Sequence, residues 1–432
     1  PPPATIAMPA TSTPSFTGTN SPPPLPIPMA RRSKIHVGLE IGTSKTCFVV
    51  GEVKPDTAVK ILGIGVTKTA GVRKGEIYDF PLARACLRDA LVKAEDASDV
   101  EIGSVYLAVT GAHIQGLNSR GTFRLPEGQS VVEPEHVEEA KTIARDVNIP
   151  ADHVHLHPII RGYRLDDLEH RTSPIGLYGR TIEADFHIVH GIGNRIQNSI
   201  RLVRETPLEV DDIVFSPIAT AQMALDQEQR DRGALVIDIG GGTTDYALYL
   251  DGSIAASGCI PVGGDHVTND IHLVTGLPFS SAEKLKLMEG DASADPARSV
   301  GTAKLVDDRG FAEVEVRRAI LNEVIRQRLE ETLRLVHQRL PEGSVATLGA
   351  GVFLTGGTSL MRGFSELAFE IFGRDIYRPE PPEISGVQAS FKDPQFATAI
   401  GLIRYAQILE TERATPPGCL GKLTRLFWPF GR

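Results

Sequence analysis

The stretch ALVIDIGGGTTDYALYLDGSIAASGCI, residues 234–260, decides the fold. Its apolar start predicts a buried strand, the glycines that follow predict a tight turn, and the remaining residues predict two more strands. The earlier stretch KIHVGLEIGTSKTCFVVGEV, residues 34–53, repeats the same order. Because helical patterns follow each copy, the duplication predicts an α/β protein with two similar lobes that face each other.

Length and composition agree with a globular protein of more than one lobe. The chain has 432 residues, of which 41% are hydrophobic and 23% charged, and its formal net charge is -9. An acidic chain has no overall attraction for nucleic acid, so we expect no nucleic-acid partner. The four cysteines form no CxxC pair, and no apolar run approaches the roughly 18 residues that span a bilayer. We therefore expect a cytoplasmic protein with reduced thiols.

Glycine turns follow a predicted buried strand at three places. Glycine lets the backbone approach a ligand closely and point N–H groups at phosphate oxygens, while hydroxyls and a lysine add further donors. One such turn is usually only a hairpin, but three of them, two related by the repeat, predict a nucleotide-phosphate site. None matches a P-loop or a dinucleotide-binding motif. The candidates are Gly42, Thr43, Ser44 and Lys45 in the first turn, Gly240, Gly241, Gly242, Thr243 and Thr244 in the second, and Gly356, Gly357 and Thr358 in the third.

Carboxylates stand next to the first two turns. Asp238 and Asp245 flank the second turn, and Glu40 takes the equivalent place before the first. A carboxylate beside a phosphate site is best explained by Mg²⁺, which is usually held through water. The alternative for each is turn capping, which Asp performs readily.

The alternating residues His153, His155 and His157 lie on one face of a predicted strand. No carboxylate or cysteine stands at ligand spacing from them, so the alternation does not predict a metal site.

Several motifs occur in the order and spacing of a known family. GLEIGTSK, SVYLAVTGAHI, VIDIGGGTTDYALY, LTGGTSLMRG and ATAIGLIRY resemble the actin/Hsp70/sugar-kinase ATPase superfamily and, within it, are similar to the FtsA family of bacterial cell-division proteins. The resemblance covers about residues 34–409 and the C-terminal tail. It implies a two-lobed actin-like fold of duplicated ribonuclease H-like units, with an inserted subdomain named 1C. It also implies ATP and Mg²⁺ between the lobes, with Glu323 at the ribose and Arg326 near the adenine. An ordinary salt-bridged helix face would show the same two residues.

The resemblance and the composition together divide the chain into segments. Residues 1–33, rich in Pro, Ser and Thr, are expected to form a disordered extension. The first lobe (1A) is expected at 34–104 and 192–230, completed by about 385–409, with subdomain 1C at 105–191. The second lobe (2A) is expected at 231–265 and 339–384, with subdomain 2B at 266–338 and a long helix from about 313 to 340. A linker at 410–417 and an amphipathic membrane-targeting helix at 418–432 follow.

The C-terminal segment GCLGKLTRLFWPFGR combines apolar residues at helical spacing with basic residues and the chain's only tryptophan. This pattern is typical of a short helix that lies at a membrane surface and is attracted to anionic lipid. A helix docked on the protein's own body is the alternative. The predicted membrane-contacting residues are Leu420, Leu423, Leu426, Phe427, Trp428, Phe430, Lys422 and Arg425.

The resemblance implies a protein that polymerises and tethers filaments of FtsZ, the division tubulin homologue, to the inner face of the cytoplasmic membrane at the division site. The C-terminal peptide of FtsZ would dock on subdomain 2B, near Arg309, Arg317 and Arg318, and other division proteins are further possible partners. Many superfamily members have Asp where this chain has Glu40, and no water-activating base can be named, so we expect slow or regulatory ATP hydrolysis. The alternatives are a pilus-assembly scaffold of the PilM type and a small-molecule kinase of the same superfamily.

Overall fold

The computed structural model describes residues 34–53, 59–306, 313–379, 384–386 and 392–414. The expected N-terminal extension, the membrane-targeting helix with all its predicted lipid contacts, and Arg309 lie outside these ranges. Among the helices in the described ranges, none combines the length and the apolar character of a bilayer-spanning segment.

The first part of the chain builds most of one sheet and a long helix. Its elements are β1 (Lys34–Ile41), β2 (Lys45–Val53), β3 (Val59–Lys68), β4 (Val72–Arg73), β5 (Glu76–Ile77), α1 (Phe80–Ser98) and β6 (Ser104–Val109). The start of α1 is determined locally, because the Asp79 side chain accepts a hydrogen bond from the Leu82 N–H and a proline occupies the first turn. Its apolar stripe, which includes Leu87 and Leu91, is buried in the core of the first lobe.

A strand-rich segment with one helix is inserted after β6. Its elements are β7 (Gln115–Arg124), α2 (Pro134–Arg145), β8 (His153–Leu165), β9 (Leu168–His170) and β10 (Thr181–Ile192). β10 pairs antiparallel with both β7 and β8. One face of this small sheet is covered by α2, whose Val137, Ala140 and Ala144 share a separate core with Phe186. Pro134 at the first position of α2 and the acidic Glu135 in its first turn favour the start of the helix at this point.

The chain then completes the first lobe and builds the second. The connecting elements are α3 (Gly193–Arg204), β11 (Glu209–Phe215), α4 (Ser216–Ala224) and α5 (Gln227–Arg232). The second lobe contains β12 (Ala234–Ile239), β13 (Thr244–Leu250), β14 (Ser253–Ile260), α6 (Gly264–Thr275), α7 (Phe279–Glu289), β15 (Thr302–Val306), β16 (Glu313–Arg317), α8 (Arg318–Arg339), β17 (Gly351–Thr355), α9 (Phe364–Phe372) and β18 (Ile376–Tyr377). Finally, β19 (Ile384–Gly386) and α10 (Ala397–Ala414) return to the first lobe.

Both lobes contain the same five-stranded pattern. The first sheet has the order β11-β6-β1-β2-β3 with β19 at its edge, and the second begins with the order β18-β17-β12-β13-β14. In each sheet the strand before the glycine turn pairs antiparallel with the strand after it and parallel with its other neighbour. The equivalent order confirms the two-lobed, duplicated α/β fold predicted from the repeat.

The inserted segment differs from the expected subdomain 1C in its first residues. The expected start at 105 falls inside β6, which pairs with β1 and β11 in the first sheet. Val105 and Leu107 are fully buried there, because β6 is a central strand covered on both faces. The insertion therefore begins after Val109. Its strands extend the second sheet to nine strands through a pairing of Gln115 with Gly258.

Two expected helix boundaries are wrong. The long helix predicted from 313 begins at Arg318, because the alternating residues 313–317 form β16 and pair antiparallel with β15. The linker predicted from 410 is helical as far as Ala414, because α10 continues past Leu409. Glu410 is held in this last part of α10 by an ion pair with Lys34 at 2.8 Å.

Two helices, α4 and α10, cross beneath the junction of the lobes. A Cβ atom on Gly401 would lie 1.9 Å from the Ala219 carbonyl oxygen, so only glycine permits this crossing. A Cβ atom on Gly38 of β1 would similarly lie 2.2 Å from the carbonyl oxygen of Ala399 in α10. This close packing places the start of α10 directly against the first-lobe sheet, next to the end of β12.

Candidate nucleotide site

A cavity of about 500 Å³ lies where the three glycine turns meet. Residues of all three turns form its wall, together with residues of α6 and α7. The predicted site residues that line it are Glu40, Gly42, Thr43, Ser44, Lys45, Asp238, Gly240, Gly241, Gly242, Thr243, Asp245, Gly357 and Thr358. The structure thus brings residues from both lobes to one place.

The first two turns have the same backbone closure. The Gly42 N–H donates to the Lys45 carbonyl oxygen over 2.9 Å, and the Gly240 N–H donates to that of Thr243 over 2.9 Å. The third turn is attached to the second, because the Thr358 hydroxyl donates to the Gly240 carbonyl oxygen over 3.1 Å. The internal repeat therefore extends to the hydrogen bonding of the turns themselves.

The first and second turns approach each other closely across the cavity. A Cβ atom on Gly241 would lie 1.8 Å from Ser44 Oγ, and one on Gly242 would lie 2.3 Å from Thr43 Oγ1. Real Cβ atoms essentially never come that close, so a side chain at either position would require the hydroxyl-bearing side chain opposite it to move. The backbone of the second turn can approach a ligand from one side while hydroxyls approach from the other.

Two predicted residues lie behind the wall. The hydroxyl of Thr244 is buried and donates to the Val262 carbonyl oxygen over 2.8 Å. Gly356 has a φ of 82° and passes close to Asp238, where a Cβ atom would come within 2.3 Å of Oδ1. Both residues shape the turns without lining the cavity.

The lysine of the first turn is paired with the carboxylate that precedes it. Lys45 Nζ lies 2.8 Å from Glu40 Oε2. Burial lowers the pKa of Lys45, but the nearby Glu40, Cys47 and Asp238 outweigh burial, and the pKa is raised overall. The lysine therefore stays charged, as a phosphate-binding residue must.

The carboxylates beside the second turn have no basic partner of their own. Burial, and then the charge of Glu40, raise the pKa of Asp238 to about 6, although Lys45 opposes the shift. Burial raises the pKa of Asp245 to about 7, against the hydrogen bond that the Thr110 hydroxyl donates to it over 2.5 Å. Negative charge is thus disfavoured at both carboxylates in the absence of a cation.

This arrangement suits a hydrated magnesium ion better than a directly bound metal. Within the described ranges, no three His, Cys, Asp or Glu side chains are close enough together to hold a metal by themselves. Mg²⁺ usually keeps several waters and binds through one or two carboxylates together with substrate phosphates. Asp238, Glu40 and Asp245 fit that role, because a cation would offset the repulsion between their carboxylates.

Glu283 and Lys286 on α7 also line the cavity and were not predicted. Lys286 is buried, and its Nζ donates to Thr268 Oγ1 over 2.8 Å and to the Gly264 carbonyl oxygen over 3.0 Å. It also lies 2.7 Å from Glu283 Oε2. The sequence signal was the acid–base pair at i and i+3 in AEKLK, which resembles an ordinary exposed pair until α7 is placed in space.

Glu323 and Arg326, expected at the ribose and adenine, do not reach the cavity. Arg326 donates to the Ala292 carbonyl oxygen over 3.1 Å and to Glu370 over 2.6 Å. Glu323 is exposed and accepts a hydrogen bond from Gln327 within the same helix. The face of α8 that is buried carries its leucines and isoleucines instead, so these two residues belong to the salt-bridged face that was the alternative.

The remaining candidates lie apart from the cavity. Arg317 is exposed on β16, while Arg318 is paired with Glu289 at 2.5 Å. Within the inserted segment, His153 Nδ1 lies 2.7 Å from His190 Nδ1, and His157 Nε2 accepts the Phe215 N–H. Burial lowers the pKa of His157 to about 3.

Comparison with known protein families agrees with this geometry. Residues 235–401 match the model of the cell division protein FtsA family, and residues 111–190 match the SHS2 domain inserted in FtsA. The chain is 35% identical over 373 residues to the cell division protein FtsA of Pseudomonas aeruginosa, covering 86% of this chain and 89% of that protein. The chain belongs to the FtsA family.

Other relatives support the same family and fold. FtsA of Escherichia coli strain K12 is 33% identical over 382 residues, covering 87% of this chain and 90% of that protein. Among solved structures, the PilM–PilN type IV pilus biogenesis complex superposes with a TM-score of 0.57 at 18% identity, covering 85% of this chain and 97% of that chain. The latter shows the fold alone. This FtsA-family chain is therefore a cell-division protein of the actin-like superfamily with an SHS2 insertion.

Proposed function

We propose that this FtsA-family chain binds ATP with Mg²⁺ between its lobes, polymerises, and tethers FtsZ filaments to the cytoplasmic membrane. The observation that carries the nucleotide part is the meeting of three glycine turns from two lobes around one cavity. The backbone N–H groups of the turns would bind the phosphates, and Lys45 would add a positive charge. Asp238, Glu40 and Asp245 would accept hydrogen bonds from the water bound to Mg²⁺.

Binding at this position would couple the nucleotide to the arrangement of the lobes. The first turn belongs to one sheet and the second to the other, so a ligand held by both favours the closed arrangement over an open one. We propose that the closed form is the one that polymerises. Hydrolysis would be slow or regulatory, because Glu40 stands where many superfamily members have Asp.

The membrane part of the proposal depends on the sequence after α10. Residues 418–432 carry six apolar or aromatic residues of the predicted anchor together with Lys422 and Arg425 and no acidic residue. Each basic residue near an anionic surface contributes about 1 kcal/mol. One short anchor binds weakly, whereas a polymer carries many, so polymerisation and membrane binding would reinforce each other. The protein would then lie on the inner face of the membrane at the division site.

Liposome co-sedimentation in the presence of ATP tests this proposal. The full chain is compared with a chain truncated after Pro417 and with a Phe427→Asp variant of the full chain, on vesicles with and without anionic lipid. We expect the full chain to sediment with anionic vesicles, and both altered chains to stay largely in the supernatant. Equal sedimentation of all three chains would show that the C-terminal segment is not the anchor.

The FtsZ contact is proposed for subdomain 2B, where Arg317 is exposed and Arg318 and Arg309 are close to it in the sequence. An acidic C-terminal peptide of FtsZ would be attracted to this basic segment. Fluorescence anisotropy with that peptide provides the test. Arg317→Glu should weaken binding, whereas Arg201→Glu, which changes an exposed arginine of the first lobe, should not. Equal effects of the two substitutions would place the peptide elsewhere.

A further inference from the structure

Two buried threonines, Thr220 and Thr398, contact the carboxylate of Asp238. Thr398 Oγ1 lies 2.9 Å from Asp238 Oδ2, Thr220 Oγ1 lies 3.2 Å from the same oxygen, and the two hydroxyl oxygens are 2.9 Å apart. Thr220 is fully buried and Thr398 is 3% exposed. Neither residue belongs to a glycine turn, and although Thr398 lies in the ATAIGLIRY motif, no role at the site was predicted for either residue.

The available protons determine how these three groups interact. Each hydroxyl has a single proton to donate, whereas an ionised carboxylate only accepts. The shorter distances favour a chain in which Thr220 donates to Thr398 and Thr398 donates to Asp238. One oxygen of the carboxylate is then occupied by a neutral donor. The other oxygen, Oδ1, lies beside Gly356 of the third turn.

The two threonines come from the helices that cross beneath the junction of the lobes. Thr220 lies on α4, and Thr398 lies in the first turn of α10. The crossing is tight at the neighbouring Gly401 and Ala219, so the two helices hold the backbones of both threonines close to Asp238. The orientation of the Asp238 carboxylate is therefore determined by the helix crossing rather than by its own turn.

We propose that Thr398, supported by Thr220, is a positioning residue that orients the Asp238 carboxylate. In this orientation the carboxylate would accept hydrogen bonds from the water molecules bound to Mg²⁺ in the Mg–ATP complex. This inference rests on the proposed nucleotide site. A neutral donor suits the task, because it orients the carboxylate without cancelling the charge that attracts the cation. The contrast is Glu40, whose charge is already offset by Lys45 at 2.8 Å. A consequence is that metal binding becomes sensitive to the relative position of α4 and α10.

The test measures the affinity of the full chain for ATP by calorimetry, once in excess Mg²⁺ and once in EDTA. The ratio of the two affinities is called the magnesium enhancement. Thr398→Val keeps the shape of the side chain but removes the donor. We expect it to reduce the enhancement about tenfold while the affinity in EDTA stays within about twofold. Thr220→Val, which acts through Thr398, should reduce it by a smaller factor. Thr398→Ser, which keeps the hydroxyl, should restore it.

The matched control is Thr332→Val, because Thr332 is equally buried but donates only to the Arg328 carbonyl oxygen within α8. It should leave the enhancement unchanged.

An equal loss of affinity with and without Mg²⁺ in Thr398→Val would show a purely structural role and overturn the inference. If Thr398→Val fails to fold by thermal unfolding, Thr220→Val and Thr398→Ser decide the question. If the wild-type chain shows a magnesium enhancement that Thr398→Val leaves unchanged, the positioning role alone is refuted. A wild-type chain that binds ATP equally with and without Mg²⁺ refutes the magnesium part of the proposed function as well, and one that binds no ATP refutes the proposed nucleotide site.

Discussion

The two repeated glycine turns are closed by the same backbone hydrogen bond, but they present different groups to the cavity. The first turn presents the side chains of Thr43 and Ser44, whereas the second presents bare backbone at Gly241 and Gly242. The Ser44 side chain lies against Gly241 and the Thr43 side chain lies against Gly242, so a Cβ atom on either glycine would require the facing side chain to move. The two copies of the repeat have thus become complementary, because the side chains of one turn face the bare backbone of the other.

The turns also differ in their electrostatics. In the first turn, Glu40 is paired with Lys45. In the second, Asp238 and Asp245 are hydrogen-bonded to threonine hydroxyls, and burial raises the pKa of both. One turn is thus internally neutralised, and the other carries unbalanced negative charge that a cation would stabilise.

The largest expected effect is the pH dependence of the second turn. The pKa of Asp245 is about 7 in the folded chain, well above the ordinary value of 3.8. Between these values the folded chain binds a proton that the unfolded chain has released. The free energy of unfolding therefore falls as pH rises from about 4 to 7, by up to about 4 kcal/mol, and changes no further above that range. Denaturant unfolding of the metal- and nucleotide-free chain at pH 5 and pH 8 measures the part of this change above pH 5, about 3 kcal/mol.

Asp245→Asn removes the titration of this carboxylate, while the nearby Asp238, whose pKa is also raised, still titrates. The variant should lose less stability than wild type between the two pH values. Identical pH dependence of the two chains would contradict the raised pKa.

The next largest effect tests the contact between the first glycine turn and the glycines of the second. Gly242→Ala places a Cβ atom 2.3 Å from Thr43 Oγ1 and 2.8 Å from Thr43 Cβ. Rotation of the hydroxyl cannot relieve the second contact, and overpacking of this kind costs about 2–3 kcal/mol. Because the added methyl group pushes apart the two turns that would bind the phosphates, we expect the affinity for ATP, measured by calorimetry, to fall roughly thirty- to hundredfold. The control Gly103→Ala should have no effect, because a Cβ atom there meets nothing within 4 Å. If the double variant Gly242→Ala/Thr43→Gly binds no better than Gly242→Ala, the contact with Thr43 is not the cause.

Removal of the positive charge of Lys45 in the first turn should have a smaller effect on ATP binding. Lys45→Met leaves the partly buried Glu40 without its partner and removes a charge from the phosphates. Because both side chains retain some contact with water, we expect a loss of about 2 kcal/mol in ATP binding, or roughly thirtyfold. Glu40→Gln/Lys45→Met should be more stable to heat than Lys45→Met alone. Equal melting temperatures would indicate that the pair is not coupled.

The smallest effect concerns a hydroxyl of the first turn. Thr43 Oγ1 accepts the Gly75 N–H over 3.1 Å, which leaves the proton of the hydroxyl to be donated to a phosphate oxygen. Loss of one such bond to the ligand costs about 1 kcal/mol. Thr43→Ala should therefore weaken ATP binding about fivefold, and Thr43→Ser should restore it. A Thr43→Ser variant as weak as Thr43→Ala would show that the methyl group, not the hydroxyl, is what matters.

Sequence reasoning succeeded where the information is local. The glycine turns, the strands on either side of them and the repeat that relates the lobes could all be predicted, because period-two alternation and glycine spacing are short-range signals.

Sequence reasoning failed where a structure depends on residues that are neighbours only in space. The residues 313–317 were predicted as helix, yet they form a strand because β15 is available to pair with them. The family resemblance implied Glu323 at the ribose and Arg326 near the adenine, but neither residue lines the cavity.

By itself, the sequence determined the duplicated architecture, the three turns that line the cavity, and membership of the FtsA family, because these depend on the order and spacing of residues along the chain. Only the tertiary structure decided that Glu283 and Lys286 line the cavity. Only the tertiary structure, likewise, placed Thr220 and Thr398 against Asp238. These contacts join residues separated by up to 178 positions, and they exist because two helices cross at a glycine. No local pattern records such a crossing, because its energy comes from surfaces that meet only after the chain has folded.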